Sequence, residues 1–160
     1  MTEPTLAPPI PVIAGDYAAI AAREAERDRL DAELRPANKA ALFEALRAAA
    51  VVSVVVSFDG CGDSGQIETV DATGPEGEIA LPDVAIDIAN ATWAAEVERR
   101  TVPVGEAIEA LSYDLLNGLY GGWENNDGAF GEVVFDVAAD TITLDYNGRY
   151  TAIDSHTHEF

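Results

Sequence analysis

Several residue types are scarce in this 160-residue chain, and each scarcity excludes a class of protein. The single cysteine, Cys61, excludes an intramolecular disulfide and a multi-cysteine zinc site. The longest apolar run, residues 48–56, is about half as long as a membrane span and is interrupted by Ser53. Residues 1–11 contain no base and no long apolar core, unlike a secretory signal. We therefore expect a cytoplasmic protein that does not associate with membranes.

Basic residues are also scarce, and their scarcity is uneven. The chain has nine Lys and Arg against 29 Asp and Glu, a net charge of −20. Residues 51–160 alone contain 21 acidic and three basic residues. Such a surface repels the phosphate backbone, which argues against direct nucleic-acid binding, and it attracts cations or a basic protein partner. The alternative is that the acidity only keeps a small domain soluble and monomeric.

The N-terminal part of the chain separates into a proline-rich lead-in and two helical segments. We predict a flexible lead-in over residues 1–14 and a charged helix over residues 15–37. Pro36 disfavours helical geometry at the residue before it, so we expect a break there. A second helix is expected to begin at Asn38 and to lead into a single domain over residues 38–160.

The rest of the chain predicts an α+β fold. Its strand signals are linked as hairpins, which favours an antiparallel sheet of about five strands, covered on one face by a helix from Pro103 to about Asn117 and preceded by the N-terminal helical pair. The glycine-rich segment 59–65 is expected to form the long tip of the first hairpin. The strands are predicted over residues 51–58, 66–72, 84–88, 130–137 and 141–146, with a further strand over 150–153.

Two acidic loops carry the candidate metal ligands. Hard cations such as Ca²⁺ or Mg²⁺ bind several oxygens on a flexible backbone, and the segment 59–68 offers both features. The spacing does not match an EF-hand. If the segment 121–128 lies beside the first loop, one divalent site, structural or hydrolytic, is expected. The predicted ligands are Asp59, Asp63, Glu68, Glu124 and Asp127.

The second loop is also a candidate binding site, because loops on a rigid scaffold concentrate binding residues. Its carboxylates and amides can accept hydrogen bonds from an arginine-bearing partner. The alternative is a self-capped turn with Trp123 packed on the core. His156 and His158 form a second candidate metal pair, with a mobile polar tail as the alternative. No catalytic motif is present, so we predict no catalytic residue. The predicted binding residues are Trp123, Glu124, Asn125, Asn126 and Asp127.

Four segments resemble the signatures of an uncharacterised family of short acidic proteins from bacteria, plasmids and phages. They are SFDGCGDSGQIE (57–68), ALSYDLL (110–116), GGWENNDGAFGE (121–132) and ITLDYN (142–147). The resemblance covers roughly residues 39–160 and implies no catalytic residues, and the family usually has serine in place of Cys61. It implies a mobile-element context.

Two functions are therefore expected from different classes. The first is an acidic protein-interaction domain, encoded by a mobile element, that inhibits a basic, nucleic-acid-binding host protein. The alternative is a divalent-metal domain built on the two acidic loops.

Overall fold

The computed structural model describes residues 14–160, so the predicted lead-in over residues 1–14 falls, except for Ala14, outside the described residues. Within that part the chain forms two helices and seven strands. In chain order they are α1 (Ala14–Ala48), β1 (Ser53–Cys61), β2 (Ser64–Gly74), β3 (Gly77–Ile79), β4 (Ala85–Ala91), β5 (Val97–Pro103), α2 (Val104–Leu119), β6 (Ala129–Asp136) and β7 (Thr141–Gly148). No helix in residues 14–160 is long and apolar enough to cross a bilayer.

The strands form two antiparallel sheets. The larger sheet has five strands in the order β3-β2-β1-β6-β7, and β4 pairs with β5 in a separate two-stranded sheet. The predicted α+β class with a five-stranded antiparallel sheet is thus confirmed. The two-stranded sheet includes β5, whose run of exposed residues lacks the alternation that marks a half-buried strand. The predicted strand over residues 150–153 does not form.

The larger sheet buries one face and leaves the other open. Along β1, the side chains of Val54, Val56 and Phe58 are buried, whereas the intervening residues remain partly accessible. This alternation follows from the period of two of a β-strand. The inner face packs against the C-terminal part of α1 and one side of α2, as in the contact of Phe43 with Phe135, whose ring centroids lie 6.4 Å apart. Both helices thus cover the same face, and the outer face meets solvent.

The predicted break at Pro36 is wrong, because α1 continues through this residue as one helix of 35 residues. The reason is tertiary contact on both sides of the proline. The Asp31 carboxylate accepts a hydrogen bond from the Ala91 N–H at 2.7 Å, and the Asn38 amide exchanges two with the Ala89 backbone at 2.8 and 2.9 Å. These bonds hold both halves of α1 against β4 and outweigh the local preference. The predicted helical pair is therefore a single helix, and the boundary proposed between residues 37 and 38 falls inside it.

The predicted long tip of the first hairpin is also wrong. The strands β1 and β2 extend to Cys61 and Ser64, which pair with each other, so only Gly62 and Asp63 form the turn. Both turn residues have positive φ, 58° and 65°, as a type I′ turn requires. The glycines read as loop residues therefore belong mostly to the strands.

Candidate functional site

The two acidic loops lie side by side at one end of the larger sheet. The Gly62 N–H donates to the Asn126 carbonyl at 2.9 Å, and the Asp63 N–H donates to the Glu124 carbonyl at 3.1 Å. The hairpin tip is thus joined to the 121–128 loop by two backbone hydrogen bonds. We call this contact the loop junction; it comprises residues 59–65 and 121–128.

Trp123 holds the loop junction together from the inside. Its side chain is 5% exposed, and its ring packs against Phe58 in a T-shaped arrangement with centroids 5.5 Å apart. Gly60 and Gly65 face each other across β1 and β2, and a Cβ on either would lie within 2.6 Å of the indole ring. The two glycines therefore leave the space that the ring occupies. Trp123 is a core residue in this structure, the alternative weighed for it above.

Arg149 closes the other side of the junction. Its guanidinium donates to both Asp59 oxygens at 3.0 Å and to the Gly60 carbonyl at 3.1 Å. It also lies 4.7 Å over the Phe130 ring. The hydrogen bonds to Asp59 raise the pKa of Arg149 above its usual value. This fork-shaped contact uses the carboxylate that sequence reasoning assigned to a metal.

The other predicted metal ligands also have protein partners or lie apart. The Asp63 carboxylate accepts from the Asn126 N–H at 3.4 Å, and Asp127 accepts from the Thr151 hydroxyl at 2.7 Å. Glu68 is the extra residue of a β-bulge in β2 and is exposed. Across residues 14–160, no three His, Cys, Asp or Glu side chains are grouped closely enough to hold a metal ion. The structure brings the two loops together without forming a carboxylate cluster, and the metal site stays a prediction.

The remaining predicted binding residues differ in exposure. Asn125, Asn126 and Asp127 are exposed on the loop surface, whereas Glu124 is half-buried. One Glu124 oxygen, Oε2, is enclosed without a hydrogen-bond partner within the described residues. In the exposed C-terminal segment, His156 lies 2.9 Å from Asp154. Of the predicted binding residues, only Asn125, Asn126 and Asp127 are therefore exposed at the loop junction.

Sequence reasoning missed a larger acidic surface on the open side of the sheet. Residues paired directly across strands point to the same face, so the register identifies this set. We call it the acidic face; its carboxylates are Asp59, Asp71, Glu78, Glu132, Asp136 and Asp145. The signal in the sequence was the alternation of these acids with the buried residues of each strand.

The acidic face carries almost no compensating charge. Glu132 and Asp145 are directly opposite each other on β6 and β7, an arrangement of like charges that destabilises a sheet. Arg149 is bound to Asp59, and within residues 14–160 no other Lys or Arg forms an ion pair with a carboxylate of this face. Six of the nine basic residues of the chain instead lie on α1, on the helical side of the sheet. The charges of α1 therefore nearly balance, with seven acidic against six basic residues, whereas the acidic face keeps a strong negative excess.

Comparison with known proteins adds a family but no activity. No curated protein and no solved structure matches the chain. One family model matches residues 34–160, which include the loop junction, the acidic face and the C-terminal part of α1. The N-terminal half of α1 lies outside the match. The chain therefore belongs to DUF6878, a family of unknown function.

Proposed function

We propose that this chain is a protein-interaction domain that binds a basic protein surface through its acidic face. The observation that carries the proposal is the face that residues 14–160 leave uncovered, on which six carboxylates lie and one described guanidinium, that of Arg149, is bound to Asp59. Five strands spaced about 4.8 Å apart make this face roughly 19 Å wide.

Electrostatic complementarity supports a basic partner over other classes. A negative potential of this extent steers a basic surface toward the face and repels phosphate groups. The basic surfaces of many proteins are those that bind nucleic acid, because phosphate neutralisation supplies much of that affinity. A domain that covers such a surface acts as a competitive inhibitor of nucleic-acid binding, and we place that role in the mobile-element context expected above.

Matched charge variants test the proposal. The face variant neutralises Asp71, Glu132 and Asp145 as Asp71→Asn, Glu132→Gln and Asp145→Asn. The control variant removes the same charge from the helical layer as Glu24→Gln, Glu44→Gln and Glu109→Gln, all exposed. Both have the same net charge, so a difference between them reports the position of the charges.

The assay is capture from host lysate at low and high salt, with the retained proteins quantified by mass spectrometry. We expect the unaltered protein and the control variant to retain a basic protein at low salt and to release it at high salt, because surface charges are screened. The face variant should fail to retain this basic protein at either salt concentration. Equal retention by the two variants, or partners that do not change with salt, would count against the proposal.

A further inference from the structure

The two sheets present four edges, and three of them are blunted against strand pairing. The edge at β2 is partly covered by the three-residue β3, and the bulge at Glu68 makes β2 irregular. The Ile67 N–H of β2 also donates a hydrogen bond to the Tyr113 hydroxyl at 3.0 Å. The β4 edge is capped by Asp31 and Asn38 of α1, as described above. The β5 edge has consecutive charged side chains, Glu98 to Arg100. These are the devices that natural sheets use to avoid unwanted pairing.

The fourth edge, β7, has none of these devices. It is eight residues long, pairs with β6 without a register shift, and contains no Lys, Arg or Pro. In residues 14–160, β6 is the only strand that pairs with it. A long, regular and uncovered edge strand is a ready surface for an added strand.

The pairing pattern shows which backbone groups of β7 are unused. The Arg149 N–H donates to the Gly128 carbonyl just beyond the paired residues, so this opposite pair is hydrogen-bonded. Alternation along an antiparallel ladder then directs the N–H and C=O groups of Ile142, Leu144 and Tyr146 away from β6. Their side chains meanwhile point to the inner face and stay half-buried. The free groups thus sit on a well-anchored strand.

The negative charge beside the β7 edge favours an added strand with basic side chains. Asp145 lies on the outer face of β7, and Glu132 is directly behind it on β6. An added strand with Lys or Arg at every second position would place those side chains next to the two carboxylates and relieve their mutual repulsion. A second copy of this chain fits poorly, because two molecules of charge −20 would meet through edges that both carry Asp145.

We propose that the basic partner binds as an added strand along β7, through an extended segment with Lys or Arg at alternate positions. This inference rests on the proposed function and specifies the mode of recognition. Main-chain hydrogen bonds to the three free pairs of groups supply affinity, and the alternate basic side chains supply selectivity, as in other cases of strand addition.

The test uses a defined probe, a peptide of about ten residues, the length of a long strand, with alternating Lys and Val. The control peptide has the same sequence with alternate backbone nitrogens methylated, which removes hydrogen-bond donors and keeps the charge. Binding is measured by titration calorimetry, and amide hydrogen exchange of the protein is measured with and without each peptide.

We expect the probe to bind at low salt and to slow exchange at Ile142, Leu144 and Tyr146 by at least tenfold, with little change at the amides of the central β1. The methylated peptide should bind at least tenfold more weakly. Asp145→Lys should weaken the probe by a similar factor, whereas the exposed helical control Glu109→Lys should not.

The outcomes separate the two proposals. If the probe binds with salt dependence but the β7 amides are unprotected, or if the methylated peptide binds equally well, strand addition is wrong and the acidic-face proposal stands. If neither peptide binds at low salt, both proposals fail. If the β7 amides are already protected in the free protein and sedimentation shows a dimer, the occupant of the edge is a second copy.

Discussion

The space at Gly65 gives the sharpest test of the loop junction. A Cβ at this position would lie 2.4 Å from Cη2 of Trp123 and 2.9 Å from Cβ of Glu124, whereas ordinary contacts begin near 3.4 Å. In Gly65→Ala the ring must therefore retreat by about 1 Å. It cannot do so freely, because Gly60 approaches the same ring and Phe58 abuts it.

Overpacking of this kind costs about 1–3 kcal/mol, and the confined ring places Gly65→Ala near the upper end. A neighbouring glycine supplies the control. A Cβ on Gly62 would meet nothing within 4 Å, so Gly62→Ala suffers only from its φ of 58°. That conformation costs an alanine about 1–2 kcal/mol. For a chain of this size, the two losses correspond to roughly 6–12 °C and 2–8 °C in melting temperature.

Urea unfolding followed by tryptophan fluorescence measures both variants. Trp93 is 77% exposed, so the background variant Trp93→Phe leaves the buried Trp123 as the only indole signal. We expect Gly65→Ala to unfold at a lower urea concentration than Gly62→Ala, with a native emission shifted toward that of exposed tryptophan. Equal midpoints with unshifted emission would refute the view that Trp123 fills the space between the paired glycines.

Three further predictions concern charge, the helix and metal. Asp145→Lys removes the repulsion from Glu132 and should raise the free energy of unfolding by about 0.5–1 kcal/mol at low salt and by less at high salt. If urea titrations show no increase, the two side chains do not lie opposite each other as the strand register requires. Pro36→Ala restores the hydrogen bond from the N–H of residue 36 to the Ala32 carbonyl within α1, and it should raise the free energy of unfolding by up to about 3 kcal/mol. If α1 were broken at this residue in solution, the substitution would not raise the free energy of unfolding. Adding Ca²⁺ or Mg²⁺ to chelator-treated protein should not raise the melting temperature, because Asp59 is already bound by Arg149. A rise would contradict this expectation and support the predicted metal site.

The strand pattern was predictable because it depends on local alternation. The hydrophobic residues of β7 recur at every second position, β1 and β6 are rich in β-branched and aromatic residues, and the short connection between β6 and β7 favours hairpin pairing. Four strands of the larger sheet and the covering helix follow from the sequence, whereas β3 was not predicted and the strand predicted over 84–88 pairs with β5 in the smaller sheet. The strand β5 was not predicted, because its first five residues are all exposed and therefore show no alternation of buried and exposed side chains.

Long-range contacts decided the features that sequence reasoning missed. Pro36 predicts a helix end locally, but Asp31 and Asn38 are seven residues apart, two helical turns, and both bind β4. No local signal carries that information. The tip of the first hairpin was overestimated for a related reason, since Gly60 and Gly65 serve the packing of Trp123, which lies far along the chain.

The convergence of the two acidic loops was raised only as a condition, and it follows from strand pairing. Gly60 pairs with Ala129 at the end of β1 and β6, so the residues just before β6 must lie beside the tip of the first hairpin. Two of the carboxylates there have partners within the protein, since Asp59 accepts hydrogen bonds from Arg149 and Asp127 accepts one from the Thr151 hydroxyl. Adjacent acidic loops therefore do not by themselves imply a ligand.

The acidic pair of Glu132 and Asp145, unlike Asp59 and Asp127, does not stabilise the fold. Glu132 and Asp145 are held opposite each other at a cost, although a lysine at either position would stabilise the sheet. Solubility alone does not require this arrangement, because the net charge of −20 would remain high after either change. An unfavourable pair beside β7, the edge that the described residues 14–160 leave uncovered, fits the proposed binding of a basic strand, since the partner would relieve in the complex a repulsion present in the free protein.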